Sequence, residues 1–307
     1  MSEITLSICI PTYNRALFLR QCLNSIVSQF DDAGVLVKTE IVISDNASKD
    51  GTQEVVSEYG EKFSNIRYYR NSENLGFDNN VLNVVSKASG EYCWLLGDDD
   101  ALFENSLKTV LAEISTSHCA YYMANCQGYD HELLVPALSH PNLPFVENQS
   151  YPSLAEFVKG IKSPRDLVGY FGGMSAQVFK NFFWRNFPQK EQYIGSQTIH
   201  MHILLAAMKD LPFMVLAKPL VKTRADNMRW DTFPGLETVK KRREKTLKGL
   251  FWISELYNLP VDVQKLNWFF FKQSMEGRMV DFLKKFVFVS PGLKNWGGKI
   301  YKKIFNK

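Results

Sequence analysis

Short apolar runs alternate with segments of helical period through the first half of the chain, which predicts βα units and a mostly parallel sheet. Leu6-Ser7-Ile8-Cys9-Ile10 reads as a strand ended by Pro11. Ala16 to Gln29 then carries Leu19, Cys22, Leu23, Ile26 and Val27 at helical spacing. Glu40 to Ser44 is a second strand, followed by the turn-rich Asp45-Asn46-Ala47-Ser48-Lys49-Asp50-Gly51 and a helix from Thr52 to Tyr59. Ile66 to Tyr69 is a third strand and Asn79 to Ala88 a helix. Gly90 introduces a fourth strand, Glu91 to Leu96, which runs straight into Gly97-Asp98-Asp99-Asp100.

Past Ala120 to Asn125, another strand, the pattern loosens. Gly128 to Pro152 holds four prolines (Pro136, Pro141, Pro144 and Pro152) and reads as a long loop. A strand-like segment after Gly172-Gly173, a helix near Ile194 to Met208, a strand near Phe213 to Leu220 and helices from about Leu236 complete the map. The expected organisation is a domain over 1–230, divided at 125 into two halves, followed by a helical region over 231–307.

Composition narrows the class. An apolar content of 45% suits a globular protein that folds without staples. The five cysteines show no C-x-x-C spacing, so a reducing compartment is expected over a disulfide framework. Met1-Ser2-Glu3 carries no basic signal-like opening, and no apolar stretch reaches the ~20 residues that span a bilayer. The net charge of +4 hides an asymmetry. Phe282 to Lys307 contains seven lysines and no acid, interleaved with Phe286, Phe288, Trp296, Tyr301 and Phe305. A second basic cluster includes Lys240, Lys241, Arg242 and Arg243. The tail reads either as an anchor on an anionic membrane surface or as a solvated lysine face. No nucleic-acid-binding module accompanies the charge, so no nucleic-acid partner is expected.

The chemistry-bearing residues gather at strand ends. Three adjacent carboxylates repel one another, and a hard divalent cation resolves that conflict; a solvated acidic turn ahead of a helix is the plainer reading. Asp45 offers a carboxylate to a nucleobase or ribose, or else caps the Thr52 helix. Pro11-Thr12-Tyr13-Asn14-Arg15 presents backbone, an aromatic face and a cation, and Asn74-Leu75-Gly76 a glycine that something approaches closely. Each is weak alone. Together, four successive strands end in polar loops along one edge of a parallel sheet, where open α/β sheets place their ligands.

In this order, these motifs resemble the family 2 glycosyltransferases, and within them the abequosyltransferase-like enzymes of bacterial O-antigen assembly. The resemblance covers about the first 125 residues, through Ile10 to Arg15, Ile43 to Thr52, Asn74-Leu75-Gly76, Gly90-Glu91-Tyr92 and Leu96 to Asp100. It implies a GT-A α/β fold: a mostly parallel central sheet flanked by helices, here with a basic helical C-terminal extension. Pro11, Thr12, Tyr13, Asn14, Arg15, Asp45, Asn74, Gly76 and Asp98 would hold a nucleoside-diphosphate sugar. Asp98, Asp99 and Asp100 would hold Mn2+ or Mg2+, although Gly97 stands where the family's acidic motif begins. The implied reaction moves the sugar to an acceptor hydroxyl with inversion. The implied acceptor is a polyprenyl-linked oligosaccharide of bacterial surface polysaccharide, with the enzyme cytoplasmic and peripheral on the inner membrane face.

The second half is less complete. Gly195-Ser196-Gln197-Thr198-Ile199-His200 falls where the family carries an aspartate base, and it contains no acid. His200 and Glu191 are the candidates for that role; a buried or surface histidine is the alternative for His200. Arg224 suits diphosphate oxygens, or else a surface turn. Two other functions remain: a nucleotidyltransferase, against which the absence of a Gly-rich, lysine-containing first loop argues, and a sugar-nucleotide-binding protein without transfer.

Overall fold

All seven residues of β1 (Leu6–Thr12) and all seven of β2 (Thr39–Asp45) are buried, because both faces of these parallel strands are covered. The computed structural model describes residues 4–137, 142–161, 164–224, 249 and 253–257. α1 (Ala16–Val27) turns Leu19, Cys22, Leu23 and Ile26 inward, as its spacing predicts. The short α2 (Ala33–Leu36), which the pattern did not signal, is capped by Asp32 accepting from the Gly34 N–H. α3 (Thr52–Gly60) packs on α1 and on β3 (Ile66–Arg70), and α4 (Phe77–Lys87) packs on β1 and β2. β4 (Tyr92–Leu95) completes the parallel half.

The second half opens with the two-residue β5 (Ala101–Leu102) and α5 (Ser106–Ser117), then β6 (Tyr121–Tyr129), which runs past the expected end at Asn125. β7 (Gln149–Tyr151), α6 (Leu154–Lys159) and α7 (Pro164–Phe171) lead to a 3-10 turn at Met174–Ala176. β8 (Gln177–Lys180) and α8 (Asn181–Asn186) are followed by a second 3-10 turn at Lys190–Tyr193. α9 (Ile199–Ala207) and β9 (Phe213–Arg224) close the sequence of elements.

The strand order is β3-β2-β1-β4-β8-β6-β9-β5, with β7 also on β9, giving nine strands among the described residues. β3, β2, β1 and β4 are mutually parallel, whereas β8 runs antiparallel to both β4 and β6. The sheet is therefore mixed, parallel on one side and reversed at β8. Beyond β8, β6 and β9 pair in parallel through a register shift at Asn125. The Asn125 side chain fills the gap, donating to Leu143 O and Ala217 O at 3.1 and 2.8 Å and accepting from the Leu143 N–H at 2.9 Å. Backbone groups that the shift would orphan are thus satisfied.

The core beneath this half is aromatic. Phe213 lies 4.9 Å from Phe157 and 5.1 Å from Tyr121, ring centre to ring centre. All five cysteines are buried and unpaired with one another. The first compact unit runs from Met1 to Leu259. Within it a helical turn at 253–257 buries Ile253 and Tyr257, whose hydroxyl donates to Leu205 O. The rest of the predicted C-terminal helices and the basic tail lie outside the described residues, among which no helix is long and apolar enough to cross a membrane.

Candidate active site

Register puts the strand ends level. Thr12 pairs with Asp45, and Asp45 with Arg70, so the last residues of β1, β2 and β3 form one cross-strand row. Pro11, which has no N–H to give, is tolerated because β4 pairs with β1 only as far as Cys9. Beyond it the β1–α1 loop is locked to the β2–α3 loop. Asn14, at φ +52°, donates its backbone N–H to Ser48 Oγ and accepts from the Lys49 N–H at 2.7 Å. Tyr13 stands 41% exposed at the lip.

Asp45 is fully buried and already partnered. Its Oδ2 accepts from the Tyr68 hydroxyl at 2.6 Å and lies 3.5 Å from Arg70 Nε, while Oδ1 accepts from the Ser48 N–H. Burial, then the hydrogen bond to Asp45 and its charge, holds the Tyr68 phenol well above its ordinary range. Neither Tyr68 nor Arg70 was singled out from the sequence. The row register carries the missing signal, since the end of β3 must neighbour the end of β2.

An asparagine network fixes the β3–α4 loop. Asn46 donates to Asn74 Oδ1 at 2.6 Å and Gly76 O at 3.3 Å, and its oxygen accepts from the Leu75 N–H and Asn71. Asn80 donates to Ser44 O at 2.9 Å and Thr12 O at 3.3 Å. Asn74 and Gly76 are thereby brought to the strand-end row, with Leu75 and Phe77 about as exposed as Tyr13.

The aspartates divide their partners. Thr12 donates to Asp98 Oδ2 at 2.7 Å, and Arg15 Nη1 reaches Asp98 Oδ1 at 3.3 Å and Asp99 Oδ2 at 2.6 Å. Asp100 turns away, accepting from Ser175 Oγ and from the Arg224 backbone N–H. Burial, then the neighbouring Asp99 charge, raises Asp98 to about 7 against the pull of Arg15 and Thr12, and raises Asp100 likewise. Burial pulls Arg15 down, but Asp98 and Asp99 outweigh it and its pKa rises. The Arg224 guanidinium sits 4.7 Å over Phe18, donating to Asp99 O and Gln21 Oε1. Gly97 is explained by crowding. A Cβ there would meet Asp99 Oδ1 at 2.9 Å and Asp100 Oδ2 at 3.1 Å.

The two candidate proton acceptors sit in different surroundings. The His200 ring is buried, its Nε2 is 3.1 Å from Gly172 O, and burial pushes it down to about 4. It backs the 172–176 segment that carries Ser175 and is not brought to the strand-end row. His202, stacked on Tyr193 with ring centres 5.0 Å apart, is pushed to about 4 by the same cause. Glu191 is exposed on the second 3-10 turn. The acid that does reach the turn before α9 is Asp78 of α4, whose Oδ2 accepts from the Gly195 and Gln197 N–H groups at 2.6 and 2.9 Å.

A sheet of this order, with its acidic cluster at the end of β4, defines a GT-A type α/β transferase. The chain belongs to glycosyl transferase family 2, whose pattern matches residues 7–183, and it is a glycosyltransferase. It is 34% identical over 227 residues to the abequosyltransferase RfbV of Salmonella typhimurium, covering 72% of this chain and 67% of that protein. It is 29% identical over 194 residues to the GalNAc(5)-diNAcBac-PP-undecaprenol beta-1,3-glucosyltransferase of Campylobacter jejuni, a match spanning 62% of this chain and 57% of the relative. The S. aureus TarS structure, residues 1–349 in complex with UDP-GlcNAc, shares the fold with a TM-score of 0.61 at 17% identity, over 86% of this chain and 70% of that one.

Proposed function

We propose that this chain transfers a sugar from a nucleoside-diphosphate sugar to a glycan hydroxyl during the assembly of bacterial surface polysaccharide, on a lipid-linked acceptor at the inner face of the membrane. One observation carries the reading: Asp98 and Asp99 turn oxygens toward the same cationic nitrogen, Arg15 Nη1, beside a row of strand ends that includes Asp45. The names of the relatives, one acting in abequosyl transfer and one on an undecaprenol-linked acceptor, support the same class of substrate.

The carboxylates also suit a divalent ion. Among the described residues no three acidic, histidine or cysteine side chains form a ready cage. Two convergent carboxylates are nevertheless what Mn2+ or Mg2+ needs when diphosphate oxygens and water complete the shell. Asp98 and Asp99 would hold the ion, with Asp100 committed to Ser175 and β9. When bound, the metal supplies positive charge to the leaving diphosphate.

The chain's own residues do the rest. Tyr13, Leu75 and Phe77 offer exposed apolar surface to a base or sugar. Asp45, buried and held by Tyr68 and Ser48, fixes the ends of β2 and β3 beneath this surface. Arg15, released from Asp98 and Asp99, is placed to pair with phosphate oxygens. The acceptor hydroxyl displaces the nucleoside diphosphate at the anomeric carbon, and its proton passes to a base. Of the two candidates for that base, Glu191 alone presents its side chain to solvent.

Thermal unfolding in the presence of CDP, UDP, GDP or dTDP, with and without Mn2+, tests the donor site. One nucleotide should raise Tm only with metal, and Asp99→Ala should abolish the shift. No shift with any nucleotide would sink the proposal.

A further inference from the structure

The turn at 195–198 has backbone that needs outside support. Gly195 has φ +94° and Gln197 has φ +57°, and α9 begins at Ile199 with no side-chain hydrogen bond from its N-cap Thr198 and no acid in its first turn. The support comes from 117 residues away in sequence. Asp78, 3% exposed, accepts both N–H groups of the turn on one oxygen. Hydrogen bonds to a buried charged acceptor are among the stronger kind, and their loss leaves donors unpaired.

Asp78 also belongs to the other side of the molecule. It lies in the first turn of α4, two residues beyond Gly76, where the helix N-terminus favours its negative charge. The loop ahead of it, Asn74 to Gly76, is tied by Asn46 to the strand-end row. A ligand that presses on Leu75 or Phe77 therefore bears directly on the backbone that aims Asp78.

We infer that Asp78 is a positioning residue that couples occupancy of the sugar-nucleotide loop at 74–77 to the order of the 195–198 turn. This rests on the donor-site reading above. Through this carboxylate the turn becomes better fixed when the donor is in place. The coupling needs no movement of the sheet. It needs only that the loop at 74–77 be better ordered with nucleotide than without it.

Amide hydrogen exchange on the intact chain, with CDP, UDP, GDP or dTDP plus Mn2+, tests this. In the wild type, the nucleotide that raises Tm should slow exchange of Gly195 and Gln197. Asp78→Ala should speed their exchange about tenfold or more without nucleotide, and should remove the nucleotide's effect while the nucleotide still binds. Asp78→Asn, which keeps one oxygen acceptor, should restore part of the protection. Bound nucleotide with no change at 195–198 in the wild type, or protection that survives in Asp78→Ala, overturns the coupling alone. Failure of every nucleotide to bind the wild type overturns the donor-site reading and the coupling together.

Discussion

Two buried polar clusters lie in the same unit and behave oppositely. At the end of β4, Asp98 and Asp99 crowd one another and are held by a cation, Arg15. On α9, His200 and His202 are enclosed, neutral, and committed to the Gly172 and Thr198 carbonyls. Burial raises the pKa of Asp98 and Asp100 and lowers that of both histidines, for one reason: it disfavours the charged form. The difference lies in neighbours. A cluster of like charges with an opposite charge beside it is primed to bind, whereas a pair of neutral rings on carbonyls is part of the core.

The sharpest way to break this contrast is Asp99→Ala. Transfer should fall about a thousandfold or more in a radiolabelled-donor assay, with the far-UV spectrum unchanged. A loss below tenfold would place Asp99 outside the reaction.

Acid should expose the histidine pair next. Both imidazoles titrate near 4 when folded, against about 6.5 when unfolded, so their contribution is complete above about 6.5 and is lost as pH falls through 4. Each accounts for about 3 kcal/mol at most, and the Tm of the wild type relative to that of His200→Gln should fall as pH drops between those limits. Asp98 and Asp100, raised by burial, give the opposite slope in both proteins, so a Tm difference between wild type and His200→Gln that does not change across this window would contradict the buried placement.

Tyr68→Phe sharpens the donor side. Removing the hydroxyl that holds Asp45 Oδ2 should weaken nucleotide binding by about 1–2 kcal/mol, read by titration calorimetry. Equal affinity in the variant would show that Asp45 does not need its partner. The smallest effect belongs to Gly97→Ala, whose new methyl would crowd Asp99 and Asp100. Stability should drop by about 1 kcal/mol in urea unfolding, with metal affinity reduced as well. An unchanged midpoint would mean that the carboxylates shift freely.

Much of this site was readable before the structure. Leu6–Thr12 and Thr39–Asp45 are strands because apolar runs bounded by turn residues admit little else, and the loops that follow them hold the polar residues. Asn74-Leu75-Gly76 and Asp98-Asp99-Asp100 are contiguous motifs, so their chemistry is visible at short range. Tyr68 and Arg70 were not, because they become neighbours of Asp45 only through register. Ser175 carries no local mark, yet it joins Gly97 N, Asp100 and, through its carbonyl, Trp94. The segment that forms β8 has a strand-like pattern, but its reversed direction depends on how α7 and the turn after it deliver the chain.

The sequence by itself determined the βα alternation, the four strand-end loops and the family, because periodicity, turn chemistry and contiguous motifs are local properties. Only the tertiary structure decided which side chains answer one another. It enclosed His200 behind Gly172, brought Asp78 to a turn that has no acid of its own, and set Arg15 between two carboxylates. Those outcomes depend on burial and on contacts between residues 28 to 119 positions apart, which no short window along the chain contains.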